Sequence, residues 1–333
     1  MRFTNGWKIS MTVEMIHAAA ERIKGHARRT PLLSSPFLDE VAGRRVLVKP
    51  ECLQHTGSFK FRGGWSAVSA LSDETKAKGV FAYSSGNHAQ GVAAAAKAHD
   101  TKAVILMPSD APQLKIANTK ALGAEVVLYD RATENREEIG ARKAAESGLT
   151  LIKPFNEPQV IAGQGTIGLE IAEDAAALGI TEADVAICCG GGGLTSGIAT
   201  ALASEAPGMI ARPVEPEGFD DVIRSLAKGH IDPNTTSTGT ICDAIATVAP
   251  GPLTFSIMKD LCGTGVVVTE DEVLRAMAQA FQRLKLVVEP GGAVGLAAAL
   301  FHPDAFTHDT VIAVISGGNV DAPMFARALA TLN

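Results

Sequence analysis

Positive charge is in short supply along this chain: 30 lysines and arginines stand against 36 acids, for a formal net charge of −6. No run of Lys or Arg concentrates them, so the basic surface that captures nucleic-acid phosphates is not expected. Long apolar runs are missing too. No stretch offers the 18 or so charge-free apolar residues of a membrane span, and the opening MRFTNGWKISMTVEMIHAAAERIKGHARR lacks the apolar centre of a secretory signal. No membrane association and a cytoplasmic location are expected. The five cysteines, an odd number, show neither CxxC nor Cys/His metal spacing. They read as reduced thiols, with the vicinal Cys188 and Cys189 packing as small hydrophobes. Repeats, low-complexity tracts and long Pro/Gly/Ser linkers are also absent, so any two lobes must be joined by short crossings.

What is present is a recurring unit: a β-branched or apolar run, a Gly/Ser/Asn-rich turn, then an Ala-rich stretch of helical length. GVFAYSSGNHAQGVAAAAKAHD, KAVILMPSDAPQLKIANTKALGA and DVAICCGGGGLTSGIATALASEA all follow it, and TVIAVISGGN adds a late strand and turn. Continuous apolar strands alternating with helices predict parallel sheets covered on both faces, an α/β fold of two doubly wound open-sheet lobes. The expected division is a small lobe over 82–155 and a large one formed by 1–81 with 156–333. Near the start, Thr12 is the expected cap of a helix whose buried face holds Val13, Ile16, Ala20 and Ile23.

Chemistry concentrates at the strand-to-helix turns. Gly190, Gly191, Gly192 and Gly193 separate an apolar run from a helix, where inward backbone N–H groups and the helix dipole suit a phosphate. The spacing matches neither a dinucleotide GxGxxG nor a P-loop; a tight turn without ligand is the competing reading. Ser84, Ser85, Asn87 and His88 occupy a second such turn, suited to a carboxylate, although plain N-capping explains the serines equally well. Ser316, Gly317, Gly318 and Asn319 close the last apolar strand, where ligands of open α/β sheets gather. Lys60 lies in HTGSFKFRGG, between a Gly-Ser turn and two glycines. A desolvated lysine there is a nucleophile for a carbonyl cofactor; an exposed ion-pairing lysine is the alternative.

Together ExxQHTGSFKFRGG, SSGNHAQG, EPQVIAGQGTIGLEI, GGGGLTSGIA, VEPEGFDD, TEDEV and ISGGNVD resemble, in order, the serine/threonine dehydratase and serine racemase group of fold-type II pyridoxal phosphate enzymes. The resemblance spans roughly residues 12 to 325. It implies a tryptophan synthase beta-like fold, with Lys60 as the Schiff-base lysine and Phe59 packing on the cofactor ring. By the same resemblance Gly190 to Gly193 with Leu194 hold the phosphate, Asn87 meets the ring hydroxyl and Ser316 the ring nitrogen. Ser84, Ser85, Asn87 and His88 hold the substrate carboxylate, and Arg142 supplies a second carboxylate-facing cation. Ser85 also matches the opposite-face base of the racemase. The glycines flanking Lys60 are expected to let the cofactor approach the backbone.

The implied reaction is removal of the β-hydroxyl of L-threonine or L-serine, giving a 2-oxo acid and ammonia. A threo-3-hydroxyaspartate dehydratase, with Arg142 or His55 serving a second carboxylate, and a serine racemase are the nearest rivals. A non-catalytic phosphate-binding module is a reading from a different class. In VEPEGFDD, Glu215 and Asp221 are hard oxygen ligands, and the resemblance adds the Phe219 carbonyl, a sparse set suited to Mg²⁺, or to Ca²⁺ or Mn²⁺; an acidic loop capping a helix is the alternative. Two departures stand out. Asp243-Ala244 replaces the usual Asp-Gly on the substrate side, and the end at Asn333 leaves no room for a regulatory domain, so feedback inhibition is not expected. A homodimer is implied by the resemblance alone.

Overall fold

A computed structural model describes residues 11–84, 86–111, 113–130, 133–236 and 238–332. Ten strands fall in chain order: β1 (Leu33–Ser34), β2 (Arg45–Pro50), β3 (Val80–Tyr83), β4 (Ala103–Pro108), β5 (Glu125–Tyr129), β6 (Thr150–Leu151), β7 (Ala183–Cys188), β8 (Met209–Pro216), β9 (Val266–Val268) and β10 (Thr310–Ile315). They form two sheets, β1-β2-β10-β7-β8-β9 and β5-β4-β3-β6. Every pairing is parallel except that of β1 with β2. Parallel strands need covering on both faces, and β3, β4 and β7 are buried along their whole length. The edge strands β1 and β5 are the ones with exposed residues beyond their first position. The α/β reading of the sequence is therefore the observed architecture.

Helix Pro158–Ala177 runs between helix Lys60–Ser69 and helix Gly193–Glu205 at backbone contact. A Cβ on Gly163 would stand 2.5 Å from the Arg62 carbonyl oxygen, and one on Gly197 2.5 Å from that of Ile161. Glycines thus bring the lysine helix and the four-glycine helix to one scaffold. Strand β3 starts at Val80, so a lobe boundary at residue 82 falls inside it. Phe61, Trp65 and Val68, from before that boundary, pack in one cluster with Ala82, Ile105 and Met107 of the four-stranded sheet. The N-terminal helix Val13–Ile23 forms and buries Ile16 and Ile23 as expected, but Ala19 takes the third buried position while Val13 and Ala20 are only half-buried; Thr12 holds the cap position without a side-chain cap bond. All five cysteines are free, and among the described residues no helix is long and apolar enough to cross a membrane.

Topology places the site. Strand β10 lies between β2 and β7, with Ile315 level with Pro50 and Val314 with Ile187. Three carboxyl ends therefore lie side by side, and the segments leaving them carry Lys60, Ser316 and Gly190. The carboxyl end of β3 in the other sheet delivers Ser84 and Asn87, the switch-point placement favoured by open α/β sheets.

Candidate active site

Lys60 is the first residue of its helix, and the turn before it is stitched to the segment after β10. Phe59 N–H donates to the Ser316 carbonyl at 3.0 Å, and Gly318 N–H to that of Gly57 at 2.9 Å. Thr56 and Gly57 both have left-handed φ, 59° and 73°, which turns the chain so the lysine points inward. Lys60 Nζ donates to the Pro154 carbonyl at 2.7 Å and sits 5.1 Å from the Phe59 ring centroid. Burial pulls its pKa down to about 8. About a tenth is therefore uncharged amine at pH 7, the form a nucleophile or base requires.

The flanking glycines have a different purpose from the one expected. A Cβ on Gly63 would fall 2.2 Å from Gln164 Nε2, and one on Gly64 2.7 Å from the Gly91 carbonyl carbon. They allow helix packing, fixing the lysine helix against helices Pro158–Ala177 and Asn87–Ala98, and do not open the backbone to a cofactor.

Gly190 to Gly193 do form a cradle. Gly192, at φ 86°, caps the helix beginning at Gly193. A Cβ on Gly191 would lie 2.4 Å from the Phe155 ring, and one on Gly190 2.9 Å from the Ile245 carbonyl oxygen. No side chain fits, and the Gly191 carbonyl is tied back by Thr254 Oγ1 at 2.7 Å. Amides at a helix N-terminus remain to meet an anion. Phe59, Lys60, the four glycines, Leu194 and Ser316 line one cavity. An anion cradle, an amine of lowered pKa and a neutral hydroxyl around one space fit pyridoxal phosphate.

The same cavity is lined by Ser84, Asn87 and His88; Ser85 lies outside the described residues. Ser84 Oγ accepts from Gly86 N–H at 3.1 Å. Asn87 Nδ2 donates to Glu289 Oε1 at 2.6 Å, and Asn319 Nδ2 donates both to Asn87 Oδ1 and to the Thr56 carbonyl, each at 2.8 Å. Buried Glu289 is pushed up to about 7 by desolvation, against the nearby Lys115 charge. His88 Nε2 faces the Ile152 carbonyl at 2.9 Å, so this nitrogen carries the proton, and Nδ1 is buried without a partner among the described residues. Burial, reinforced by Lys60, lowers His88 to about 3. It is a neutral imidazole.

Arg142 is not at the cavity. It is exposed on helix Arg136–Ser147, whereas Arg136, at the start of that helix, lines the cavity with its guanidinium 5.5 Å from the Tyr83 ring centroid. Six residues apart on the helix, the two project about 120° from each other and do not share a face. His55 packs on Phe61 with ring centroids 5.0 Å apart and planes tilted by 54°, and it is not part of the lining. The sequence reading also missed Glu289, Lys115 and Phe155. Glu289 stands before Pro290-Gly291-Gly292 at the start of a helix, a signal of the same kind as those used above.

Glu215, Phe219 and Asp221 gather at the end of β8, apart from this cavity. Glu215 accepts from Val222 and Ile223 N–H at 3.1 and 2.8 Å. Asp221 Oδ1 accepts from Asn234 at 2.6 Å, while Oδ2 is buried without a partner among the described residues. Burial, then mutual repulsion with Asp221, holds Glu215 well above the carboxylate range, and burial lifts Asp221 to about 7. An orphaned carboxylate oxygen beside a second buried acid fits a cation. No group of three or more His, Cys, Asp and Glu gathers among the described residues, so the ligand set would need the Phe219 carbonyl and water.

Known proteins are similar to this chain over nearly its whole length. The chain is 41% identical over 311 residues to an L-threo-3-hydroxyaspartate ammonia-lyase of Saccharomyces cerevisiae, covering 93% of this chain and 94% of that protein. It is 38% identical over 323 residues to a serine racemase of Oryza sativa subsp. indica, covering 95% and 93%. The crystal structure of a T.th. threonine deaminase superposes with a TM-score of 0.87 at 44% identity, covering 93% of this chain and 99% of that one. The profile described as pyridoxal-phosphate dependent enzyme matches residues 23–317, nearly the whole described fold and every segment that lines the cavity, and the chain belongs to that family.

Proposed function

We propose that this protein is an ammonia-lyase that removes the β-hydroxyl of L-threonine and L-serine, yielding a 2-oxo acid and ammonia. The observation that carries the reading is Lys60, an amine of lowered pKa in the same cavity as the four-glycine cradle and the Ser84–His88 turn. Gly190 to Gly193 and Leu194 would hold the cofactor phosphate, Phe59 the ring face, Asn87 the ring oxygen and Ser316 the ring nitrogen. When bound, pyridoxal phosphate supplies the electron sink for charge developing at the substrate α-carbon. Lys60 Nζ takes the α-proton, and Ser84, Ser85 and the amides of their turn hold the α-carboxylate. Neutral His88 orients this turn through Ile152 and adds no charge to it. Arg136, not Arg142, is the arginine offered to the substrate.

The two sheets serve as the small and large lobes. Mg²⁺, or Ca²⁺ or Mn²⁺, at Glu215, Asp221 and the Phe219 carbonyl belongs to the same proposal, as does a cytoplasmic homodimer; the support for these is the resemblance and, for the cation, the orphaned Asp221 oxygen.

A second reading, threo-3-hydroxyaspartate dehydration, is favoured by two cations on the cavity wall, Lys115 and Arg136, and by the yeast relative. The test is the absorption spectrum of the purified protein with each of the three substrates, with coupled detection of 2-oxo acid and ammonia. A visible band with turnover of threonine and serine is expected, and both vanish in Lys60→Ala. Turnover of hydroxyaspartate alone would favour the second reading, and D-serine among the products of L-serine would favour a racemase. No band after reconstitution would overturn all three.

A further inference from the structure

Lys115 and Asp243 face each other across the cavity from different parts of the fold. Lys115 lies on helix Gln113–Ala121, which follows β4 of the four-stranded sheet; Asp243 lies in the segment between β8 and β9 of the six-stranded one. Nζ and Oδ2 are 3.7 Å apart, and both residues line the cavity. The lysine side chain is 15% exposed and the aspartate 59%. The lysine stem lies along the substrate turn: a Cβ on Gly86 would stand 2.9 Å from Lys115 Cδ and 3.4 Å from Nζ. Its ammonium is therefore held beside the turn that takes the α-carboxylate.

The lining carries the charges of Lys60, Lys115 and Arg136 against that of Asp243, while His88 is neutral. The amides of the glycine cradle meet the cofactor phosphate and the Ser84–His88 turn meets the α-carboxylate, so Lys115 and Arg136 are the cations of the lining left to face a further anion, with Asp243 opposing them. We propose that Lys115 selects substrates bearing a second carboxylate, and that Asp243 stands in for that carboxylate when the substrate has only one. The two carboxylates of a 3-hydroxyaspartate are attached to adjacent carbons, so the second one arrives beside the turn, where Lys115 is. An ion pair with one largely exposed partner is weak and readily exchanged, whereas a mostly buried ammonium left with no anion is costly. Exchange of one carboxylate for another satisfies both conditions. The inference rests on the proposed β-hydroxy amino acid chemistry and names what sets its substrate class.

The test compares holoenzyme variants Lys115→Gln, Lys115→Arg and Asp243→Asn. Lys115→Gln is expected to lower the ratio of kcat/KM for L-threo-3-hydroxyaspartate to that for L-threonine by about 30-fold or more, the scale of losing one partner of a desolvated charge pair. Lys115→Arg restores part of the ratio, and Asp243→Asn raises it. Calorimetric binding of succinate against butyrate, which differ by one carboxylate, supplies a readout independent of turnover. Lys115→Gln should erase the preference for succinate and Asp243→Asn should strengthen it. An unchanged succinate preference in both variants overturns the inference even if the lyase reading stands. Lost turnover of every substrate by wild-type protein, with the succinate preference still dependent on Lys115, sinks the lyase reading and leaves the anion site.

Discussion

Glu51, fully buried, and Glu170, 14% exposed, lie beside Arg62 and Lys49, whereas Glu215 and Asp221 are buried beside backbone amides and one asparagine. In the first cluster the fully buried Arg62 donates to both oxygens of Glu51 at 2.8 Å and to both oxygens of Glu170 at 2.7 and 2.9 Å. Lys49 Nζ adds a bond to Glu170 at 2.6 Å. Burial pushes Glu170 up, but Arg62 and Lys49 more than offset it, and its pKa ends below the ordinary value. In the second cluster nothing comparable opposes burial, and both acids end high. The difference separates two uses of buried acid. The neutralised cluster ties the lysine helix to the turn after β2 and to helix Pro158–Ala177. The acids left in excess are the ones proposed to take a cation.

The largest effect should come from breaking the balanced cluster. Arg62→Met leaves Glu51 and Glu170 buried without their main partner and should cost about 3–5 kcal/mol of unfolding free energy, the scale for an orphaned buried charge. Urea unfolding measures it; a loss below about 1 kcal/mol would mean that water reaches the acids and the cluster is not closed.

Next in size is the response to a divalent cation. Mg²⁺ at a hundredfold excess over its dissociation constant should stabilise the protein by about 2.7 kcal/mol through mass action. Asp221→Asn should abolish that gain, and Arg62→Met should keep it. The two clusters should also respond to pH with opposite signs. Asp221, raised to about 7 from 3.8, keeps a proton when folded that the unfolded chain has released. Its contribution to stability is therefore present at low pH and lost as pH rises through about 7 when no cation is bound. Glu170, lowered, contributes above the carboxylate range and loses that contribution as pH falls. Thermal melts without metal between pH 5 and 8 should show the Asp221 slope, and Asp221→Asn should flatten it. An unaltered slope would remove the cation argument.

The α/β architecture and the cavity's backbone-built half were legible because each leaves a local mark. Apolar strands betray parallel sheets, and Gly190 to Gly193 betray a turn where no Cβ fits. Parts assembled from distant segments were not legible. The Arg62 cluster joins residues 49, 51, 62 and 170, and its arginine sat unnoticed inside the most closely read motif. Arg142 follows from the resemblance alone, and position along a helix says nothing of which turn meets the cavity, so Arg136 left no mark in the sequence. Gly63 and Gly64 read in sequence as room for a ligand, because a glycine that admits a neighbouring helix looks the same there as one that admits a cofactor.

Glu289 stands between the two clusters in kind: fully buried and facing one asparagine, with Lys115 as its nearest countercharge and Asp243 opposing it. Gly317 makes room for it, since a Cβ there would fall 2.1 Å from Oε1. Held near about 7, Glu289 keeps a proton when folded that the unfolded chain has lost, so it stabilises the fold at low pH and ceases to as pH rises through neutrality. Glu289→Gln keeps an acceptor for Asn87 Nδ2 and removes the titration. Its expected effect is the smallest of the series, a flatter fall of Tm with pH between about 4.5 and 7 and an unchanged pH dependence above that range. A Tm loss equal at every pH would instead mean that the glutamine no longer accepts from Asn87, and that this carboxylate matters for its shape more than for its charge.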